Sequence, residues 1–252
     1  MPAGSWGRRG VKAAPTVVVA NVPKTCGVGL VSAMTIADHV VLTDDELLVN
    51  GRQVMQRWEE PLMKAMAEAI TPADRVLEIG WGLGISAGHL LPRCQHYICI
   101  ESIPEVARRG WNLLRKHWPY KVCMHEGDWR EVLVADKLLH GLLPEFSDAS
   151  FDAILFDAYE HEYREPGQQP DPPGYSWDMS AEFFPTAHRL LKPGGRFTYW
   201  SGEIETFTPE HLAALLDIGF EVTLSMCRGL QPPPDCEYWQ HDRMVVPVCV
   251  KK

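Results

Sequence analysis

The chain has 252 residues, of which 46% are hydrophobic and 23% charged, and its formal net charge at pH 7 is −9. These values are typical of one globular domain, and no apolar run approaches the ~18 residues that a membrane-spanning helix needs. The acidic balance lacks the electrostatic signature of nucleic-acid binding and favours a cationic ligand, because opposite long-range charge speeds encounter. We therefore expect no nucleic-acid partner and no membrane partner.

Residues 1–38 show little periodicity and predict a flexible N-terminal segment ahead of a single domain over residues 39–252. The apolar run at 17–20 is shorter than the core of ~7–15 residues in a secretory signal, so no targeting signal is predicted. Seven cysteines are scattered without a Cys-x-x-Cys pair, and ten histidines are also dispersed. This pattern favours reduced thiols in a cytoplasmic protein and predicts no metal site. The oligomeric state is left open, a homodimer included.

The predicted domain begins with two short extended pieces, residues 40–42 and 47–49, followed by a turn at Asn50-Gly51. Apolar residues then recur at spacings of three and four, which predicts an N-terminal cap helix over residues 54–70. Pro61 lies inside this stretch, so the sequence predicts a break or a kink there.

From residue 75 onward, short apolar segments alternate with helical patterns and predict a Rossmann-like core over residues 75–252. The predicted strands are 76–79, 97–100, 122–124, 151–156, 196–200, 221–226 and 244–250, and the predicted helices are 85–91, 104–117, 181–191 and 209–216. This alternation indicates an α/β fold with a mostly parallel, doubly wound sheet of seven strands. The last two strands follow each other without a helix, which predicts an antiparallel pair at one edge. Prolines mark a loop over residues 165–174.

A glycine-rich turn follows the first core strand and contains Gly80, Gly82 and Gly84. Glycines permit a tight turn and let a ligand approach the backbone, and such a turn lies at the carboxyl edge of a parallel sheet. Glu78 precedes the turn. Glu101 ends the next strand, where it is placed to accept hydrogen bonds from ribose hydroxyls. The sequence therefore predicts a nucleotide cofactor here.

Two cofactors fit this turn. The NAD fingerprint Gly-x-Gly-x-x-Gly, started at Gly82, meets Ala87 at its third position, which is tolerated. The acidic-x-Gly-x-Gly-x-Gly spacing from Glu78 onward instead resembles the first motif of class I S-adenosylmethionine-dependent methyltransferases. Asp128 and Trp129 follow the third strand, at the position that contacts adenine in that fold. S-adenosyl-L-methionine is the predicted cofactor, and NAD is the alternative.

Several segments resemble the guanidinoacetate N-methyltransferase family. They are residues 54–63 (Val-Met-Gln-Arg-Trp-Glu-Glu-Pro-Leu-Met), 76–82, 151–157, 189–195 and 232–239 (Pro-Pro-Pro-Asp-Cys-Glu-Tyr-Trp). The first and last of these are uncommon among other methyltransferases, and the resemblance covers residues 50–250. The Asp157-Ala158-Tyr159-Glu160 segment after the fourth strand lacks the prolines of Asn/Asp-Pro-Pro-Tyr, which argues against enzymes that methylate nucleic acids or protein glutamine.

The resemblance implies roles for individual residues. Glu59 and Asp157 match the two carboxylates that hold the guanidinium, Asp157 is the predicted proton acceptor, and Tyr159 is a predicted substrate contact. Gly202 and Glu203 match the short loop that receives the substrate carboxylate. The predicted cofactor contacts are Met55, Met63, Glu78, Gly80, Gly82, Gly84, Glu101, Asp128 and Trp129.

Two features favour free L-arginine as the acceptor, with N-methyl-L-arginine as product. An acidic side chain at Glu203 is a poor neighbour for a carboxylate and suits an α-ammonium group. The Pro-rich stretch 165–174 is also longer than in the family. Guanidinoacetate, giving creatine, is the alternative, and an inactive S-adenosylmethionine-binding protein is a second. Protein arginine methyltransferases carry an added barrel domain, for which this chain is too short.

Overall fold

The computed structural model describes residues 39–138, 146–158 and 177–252, so the predicted N-terminal segment lies outside the described residues. The described part opens with a small antiparallel sheet of three strands, β1 (Val40–Leu42), β2 (Glu46–Val49) and β3 (Arg52–Gln56). Asn50 and Gly51 have positive φ angles and turn the chain between β2 and β3, at the predicted place.

The predicted cap helix over residues 54–70 is wrong in its first six residues. The chain up to Gln56 belongs to β3, a single 3₁₀ turn follows at Arg57–Glu59, and helix α1 spans Glu60–Ile70. Pro61 therefore lies in the first turn of α1, where its missing N–H breaks no helical hydrogen bond and its fixed φ suits the helix. The proline starts this helix and does not kink it.

Seven strands form the central sheet. They are β4 (Ala73–Ile79), β5 (Cys94–Glu101), β6 (Val122–Glu126), β7 (Phe151–Phe156), β8 (Leu191–Tyr199), β9 (Phe220–Arg228) and β10 (Arg243–Lys251). Their order in the sheet is β6-β5-β4-β7-β8-β10-β9. The first five are parallel to one another, whereas β10 runs antiparallel to both β8 and β9. The predicted mostly parallel sheet with an antiparallel edge pair is confirmed.

Five helices follow α1 in the described ranges: α2 (Ile85–Leu90), α3 (Pro104–His117), α4 (Trp129–Leu138), α5 (Asp178–Leu190) and α6 (Pro209–Ile218). The sequence predicted all of these except α4. The strand predicted to begin at residue 196 begins earlier, at Leu191, directly after α5 ends. The Lys192–Gly195 segment therefore lies inside β8.

The central strands are buried on both faces, as expected for a parallel sheet. Val76 of β4 packs into a core with Leu62 and Met66 of α1, whereas its neighbour Leu77 packs on the opposite face with Phe183 of α5. The carboxyl ends of β4, β5, β7 and β8 meet at one edge of the sheet, which is where open parallel sheets bind ligands. No helix in the described part of the chain is long and apolar enough to cross a membrane.

Candidate active site

The turn after β4 is packed so closely that none of its three glycines, Gly80, Gly82 and Gly84, has room for a side chain. Gly80 has a φ of +87°, and a Cβ on it would overlap the main-chain oxygen of Asp157. A Cβ on Gly82 would overlap the sulfur of Met55. That sulfur also accepts a hydrogen bond from the N–H of Leu83 at 3.2 Å. The predicted cofactor contact Met55 is thus brought against the glycine turn.

Glu101, at the end of β5, holds the turn from the other side. One of its carboxylate oxygens accepts hydrogen bonds from the N–H groups of Trp81 at 2.7 Å and Gly82 at 3.3 Å. The other oxygen accepts from the N–H of Ile103 at 2.8 Å. The carboxylate therefore orders the turn directly, a role that the sequence analysis did not assign to it.

Glu78 precedes the turn but does not reach the protein surface. It is fully buried and accepts hydrogen bonds from the hydroxyl groups of Ser86 and Tyr97. Burial raises the pKa of Glu78 to about 8. Ser86 lies in α2, which begins directly after Gly84. Glu78 therefore links β4, β5 and α2 beside the turn.

The other predicted cofactor contacts lie in different surroundings. Asp128 is partly exposed and accepts a hydrogen bond from the N–H of Arg130 at 2.7 Å, which caps the start of α4. Trp129 is 9% exposed and lies edge-on to Phe156 in the hydrophobic core. Met63 is fully buried in α1. The structure gives Trp129 and Met63 packing contacts, and their contact with a cofactor stays a prediction.

Glu59 closes the 3₁₀ turn between β3 and α1 and is 2% exposed. Its Oε1 accepts hydrogen bonds from the N–H of Gln56 at 2.7 Å and from the hydroxyl of Tyr238 at 2.5 Å. Burial and the negative charge of Asp157 raise the pKa of Glu59, and the two hydrogen bonds oppose that rise. The local fold thus holds this carboxyl group in a defined orientation.

Asp157 directly follows β7 at the carboxyl edge of the sheet. Its N–H donates to the carbonyl of Ile79 at 2.9 Å, so the main-chain bonding between β4 and β7 continues to this residue. Loss of hydration and the charge of Glu101 raise the pKa of the Asp157 carboxyl group. Asp157 is therefore a stronger base than an aspartate in water.

Glu59 and Asp157 form an acidic pair without a matching cation. The charge of Asp157 contributes to the raised pKa of Glu59, which shows that the two carboxyl groups interact. Neither of them forms an ion pair with a lysine, arginine or histidine of the described ranges. Two acidic groups held together with little hydration are stabilised when a cation binds between them.

Gly202 and Glu203 follow β8 at the same edge, and Gly202 has a φ of +66°. The Glu203 side chain is 8% exposed, and its Oε1 lies 3.1 Å from Nδ1 of His211. The carboxyl group also accepts a hydrogen bond from the N–H of Thr208. Thr208 and His211 lie at the start of α6, so the carboxyl group ties this loop to α6.

Sequence reasoning assigned no role to Tyr238 or His211. The only signal for Tyr238 was its place in the family-like segment 232–239, and His211 carried no signal because its contact with Glu203 exists only once α6 has packed. The predicted substrate contact Tyr159 and the Pro-rich loop 165–174 lie outside the described residues.

A family profile described as guanidinoacetate N-methyltransferase matches residues 31–252. The chain belongs to the guanidinoacetate N-methyltransferase family. This places it among the S-adenosylmethionine-dependent methyltransferases, as the motif from Glu78 to Gly84 predicted.

Two solved structures are similar in fold. Spermidine synthase from Thermotoga maritima is 12% identical with a TM-score of 0.56, over 88% of this chain and 72% of that one. The tRNA m1G37 methyltransferase of M. jannaschii is 10% identical with a TM-score of 0.52, over 88% of this chain and 59% of that one. At these identities the likeness shows the fold alone.

A curated relative, an uncharacterized protein of Methanocaldococcus jannaschii, is 28% identical over 148 residues. The match covers 58% of this chain and spans 44% of the length of that relative.

The cofactor of the family is S-adenosylmethionine, which supplies a methyl group. The glycine turn fits a bound nucleotide, since its glycines allow a tight turn at the carboxyl edge of the sheet and Met55 and Glu101 hold its shape. Among the residues that the structure describes, no group of three or more His, Cys, Asp and Glu side chains is arranged to hold a metal ion.

The buried Glu78 predicts that the ligand-free protein loses stability as pH rises from 7 to 8. Its pKa lies above the ordinary value of 4.5, so between 4.5 and about 8 the folded state binds more protons than the unfolded chain. Stability from this group is complete at low pH and is lost as pH rises, by about 1 kcal/mol over this interval. His211 changes in the opposite sense, but its pKa is lowered to about 4, so its contribution is complete near pH 7.

Urea unfolding at pH 7 and pH 8 measures this effect, with Glu78→Gln as the matched variant. The variant is expected to reduce the pH dependence, because it removes one titrating group and keeps the side-chain size. Glu59, whose pKa is also raised, still titrates in the variant. A wild-type protein that is equally stable or more stable at pH 8 would contradict the prediction.

Proposed function

We propose that this chain is an S-adenosylmethionine-dependent N-methyltransferase that methylates the guanidino group of a small molecule. The observation that carries the proposal is the interacting pair Glu59 and Asp157, neither of which forms an ion pair with a described basic residue. Asp157 lies against Gly80 of the glycine turn. A dicarboxylate pair of this kind suits an organic cation, and the net charge of −9 favours the encounter with one.

The chemistry of the guanidinium ion supports this choice. The ion is planar and carries N–H donors side by side, which a carboxylate accepts in pairs. Glu59 reaches the site from the junction of β3 and α1, whereas Asp157 reaches it from the end of β7. Carboxylates approaching from two different elements fix both the position and the plane of such a group.

Proton transfer is the difficult part of this reaction. A free guanidinium has a pKa of about 13.8, so making it neutral at pH 7 costs roughly 9 kcal/mol. Carboxylates stabilise the charged form, so they do not ease deprotonation ahead of the reaction. We therefore propose a concerted step, in which Asp157 would accept the proton of one nitrogen as that nitrogen displaces the methyl group from sulfur. S-adenosylmethionine would supply the methyl group, and S-adenosylhomocysteine would be the leaving group.

The sequence-based preference for free L-arginine depends on Glu203 and on the loop 165–174. The Glu203 carboxyl group is hydrogen-bonded to His211 and Thr208, so the structure gives no support to a role in binding an α-ammonium group. The loop lies outside the described residues. The proposal is therefore made for the guanidino group, with L-arginine and guanidinoacetate as the acceptors to compare.

The proposal is tested by incubating the purified protein with labelled S-adenosylmethionine and, separately, with L-arginine and with guanidinoacetate. Mass spectrometry identifies N-methyl-L-arginine or creatine as the product. A protein that binds S-adenosylmethionine but methylates neither compound would overturn the guanidino assignment. That result would also favour an inactive binding protein, against which the presence of both Glu59 and Asp157 now argues.

The Glu203→Gln variant separates the two acceptors. Because the Glu203 carboxyl group is bonded to α6, we expect kcat/KM for L-arginine and for guanidinoacetate to change by the same factor, within about threefold. A loss confined to L-arginine, of about tenfold or more, would show that Glu203 binds the α-ammonium group. Steady-state kinetics with both acceptors decides between these outcomes.

A further inference from the structure

The connection between β9 and β10, residues 229–242, contains the family-like segment 232–239, to which neither the fold nor the proposed chemistry assigns a role. Because β10 is antiparallel to β9, this connection lies at the carboxyl edge of the sheet, on the same side as Asp157. Leu230 of this connection donates its N–H to the carbonyl of Asp242 at 2.9 Å, which closes the base of the connection.

The side-chain amide of Gln53 attaches this connection to β3. Its Nε2 donates to the carbonyl of Asp235 at 3.0 Å, and its Oε1 accepts from the N–H of Glu237 at 2.8 Å. A single amide thus bonds the main chain on both sides of Cys236, which is buried. Tyr238, which follows Glu237, is thereby placed beside the segment that carries Glu59.

Aromatic contacts fix the ring of Tyr238. It stacks on Trp58 with centroids 5.9 Å apart and an interplanar angle of 28°. It also meets Trp200 at 6.1 Å and 60°. The indole N–H of Trp58 donates to the side chain of Gln56 at 2.9 Å, so the stacking partner is itself held in place.

The Tyr238 hydroxyl donates to Oε1 of Glu59 at 2.5 Å, and the Gln56 N–H donates to the same oxygen at 2.7 Å. Among the described residues, both donors to this carboxylate reach Oε1, and Oε2 receives none. We infer that Tyr238 is a positioning residue, which holds the Glu59 carboxyl group turned so that Oε2 faces the acceptor cation. This inference rests on the proposed function of Glu59.

Burial and the hydrogen bond from Tyr238 change the pKa of Glu59 in opposite directions. Burial raises the pKa of Glu59, and the hydrogen bond from Tyr238 lowers it. Burial and the charge of Glu59 raise the pKa of Tyr238, so the phenol stays protonated and remains a donor. The groups that face this bond are the acidic Asp157, the thiol of Cys236 and the main chain of Gln56.

The test compares Tyr238→Phe with Tyr120→Phe, a matched change at a tyrosine that is 97% exposed. Tyr238→Phe is expected to lower kcat/KM for the guanidino acceptor by about 10- to 100-fold, the usual effect of losing a hydrogen bond to a charged group. The acid limb of its pH profile should move to higher pH, because Glu59 loses a bond that favours its ionised form. Affinity for S-adenosylmethionine should stay within about twofold of the wild type in both variants.

A second variant, Gln53→Ala, changes a half-buried side chain that attaches the connection to β3. It should lower kcat/KM for the guanidino acceptor and move the acid limb to higher pH, both by less than Tyr238→Phe does. If Tyr238→Phe leaves both kcat/KM and the acid limb unchanged, Tyr238 does not position Glu59.

Isotope-edited infrared titration of the glutamate carboxyl groups, assigned with Glu59→Gln, gives a readout that needs no turnover. A Glu59 signal that titrates at higher pH in Tyr238→Phe supports the inference, and an unshifted signal overturns it. Absence of wild-type turnover on guanidino acceptors would instead count against the proposed function, and the infrared titration still decides the role of Tyr238.

Discussion

Replacing Asp157 with asparagine is expected to lower kcat by about 10²- to 10⁴-fold, the range typical of removing a general base. The amide keeps the size of the side chain and its main-chain bond to Ile79, so the glycine turn should keep its shape. What is lost is the group that accepts the proton, together with one of two carboxylates around the guanidinium. Single-turnover kinetics with labelled S-adenosylmethionine isolates the methyl-transfer step from product release.

Asp152→Asn is the matched control, because Asp152 lies at the start of β7, at the opposite end of the strand from Asp157. Its carboxylate accepts a hydrogen bond from Lys192 at 2.7 Å. This control should leave kcat within about threefold of the wild type. S-adenosylmethionine affinity, measured by calorimetry, should be retained in both variants. Near-normal turnover by Asp157→Asn would show that another group accepts the proton.

Gly80→Ala is expected to abolish cofactor binding and to destabilise the fold by about 2–5 kcal/mol. The added Cβ would meet the main-chain oxygen of Asp157, which belongs to a neighbouring strand and cannot move without separating β4 from β7. The positive φ of +87° adds strain for any residue with a side chain. Calorimetric titration with S-adenosylhomocysteine and urea unfolding measure the two effects.

The Gly51→Ala variant separates the effect of backbone strain from the effect of steric overlap. Gly51 also has a positive φ, of +78°, but nothing lies within 4 Å of a Cβ placed on it. This control should cost only the backbone strain, about 1–2 kcal/mol, and should leave cofactor affinity unchanged. Equal losses in the two variants would mean that the close approach of Gly80 to Asp157 is unimportant.

The fold was predictable because each core strand is a short apolar run between turn signals. The prediction failed where a local pattern was compatible with both a helix and a strand. Residues 54–56 fit a helical spacing, yet they belong to β3, in which Met55 and Gln56 pair with β2 and are buried. Pro61 gave the correct signal for a helix start, but the apolar period ran through it and concealed the boundary.

The site was only partly predictable from residues alone. Asp157 and the glycine turn follow from strand ends, since parallel strands bring their carboxyl ends together. Glu59 has no such signal and was found through resemblance, as its place depends on the 3₁₀ turn before α1. The side-chain direction of Glu203 could not be predicted, because it is decided by His211 and Thr208 after α6 packs.

The insertion of β10 between β8 and β9 has a consequence for how the protein is made. As the chain leaves the ribosome, β9 emerges before β10, the strand that joins it to the sheet. Until β10 has been made, β9 has no strand partner and the edge of β8 is unpaired. The same late segment brings Tyr238 to Glu59. The same segment of the chain thus completes both the sheet and the proposed acceptor site. Contacts so distant in sequence form slowly, which exposes the unfinished sheet to mispairing.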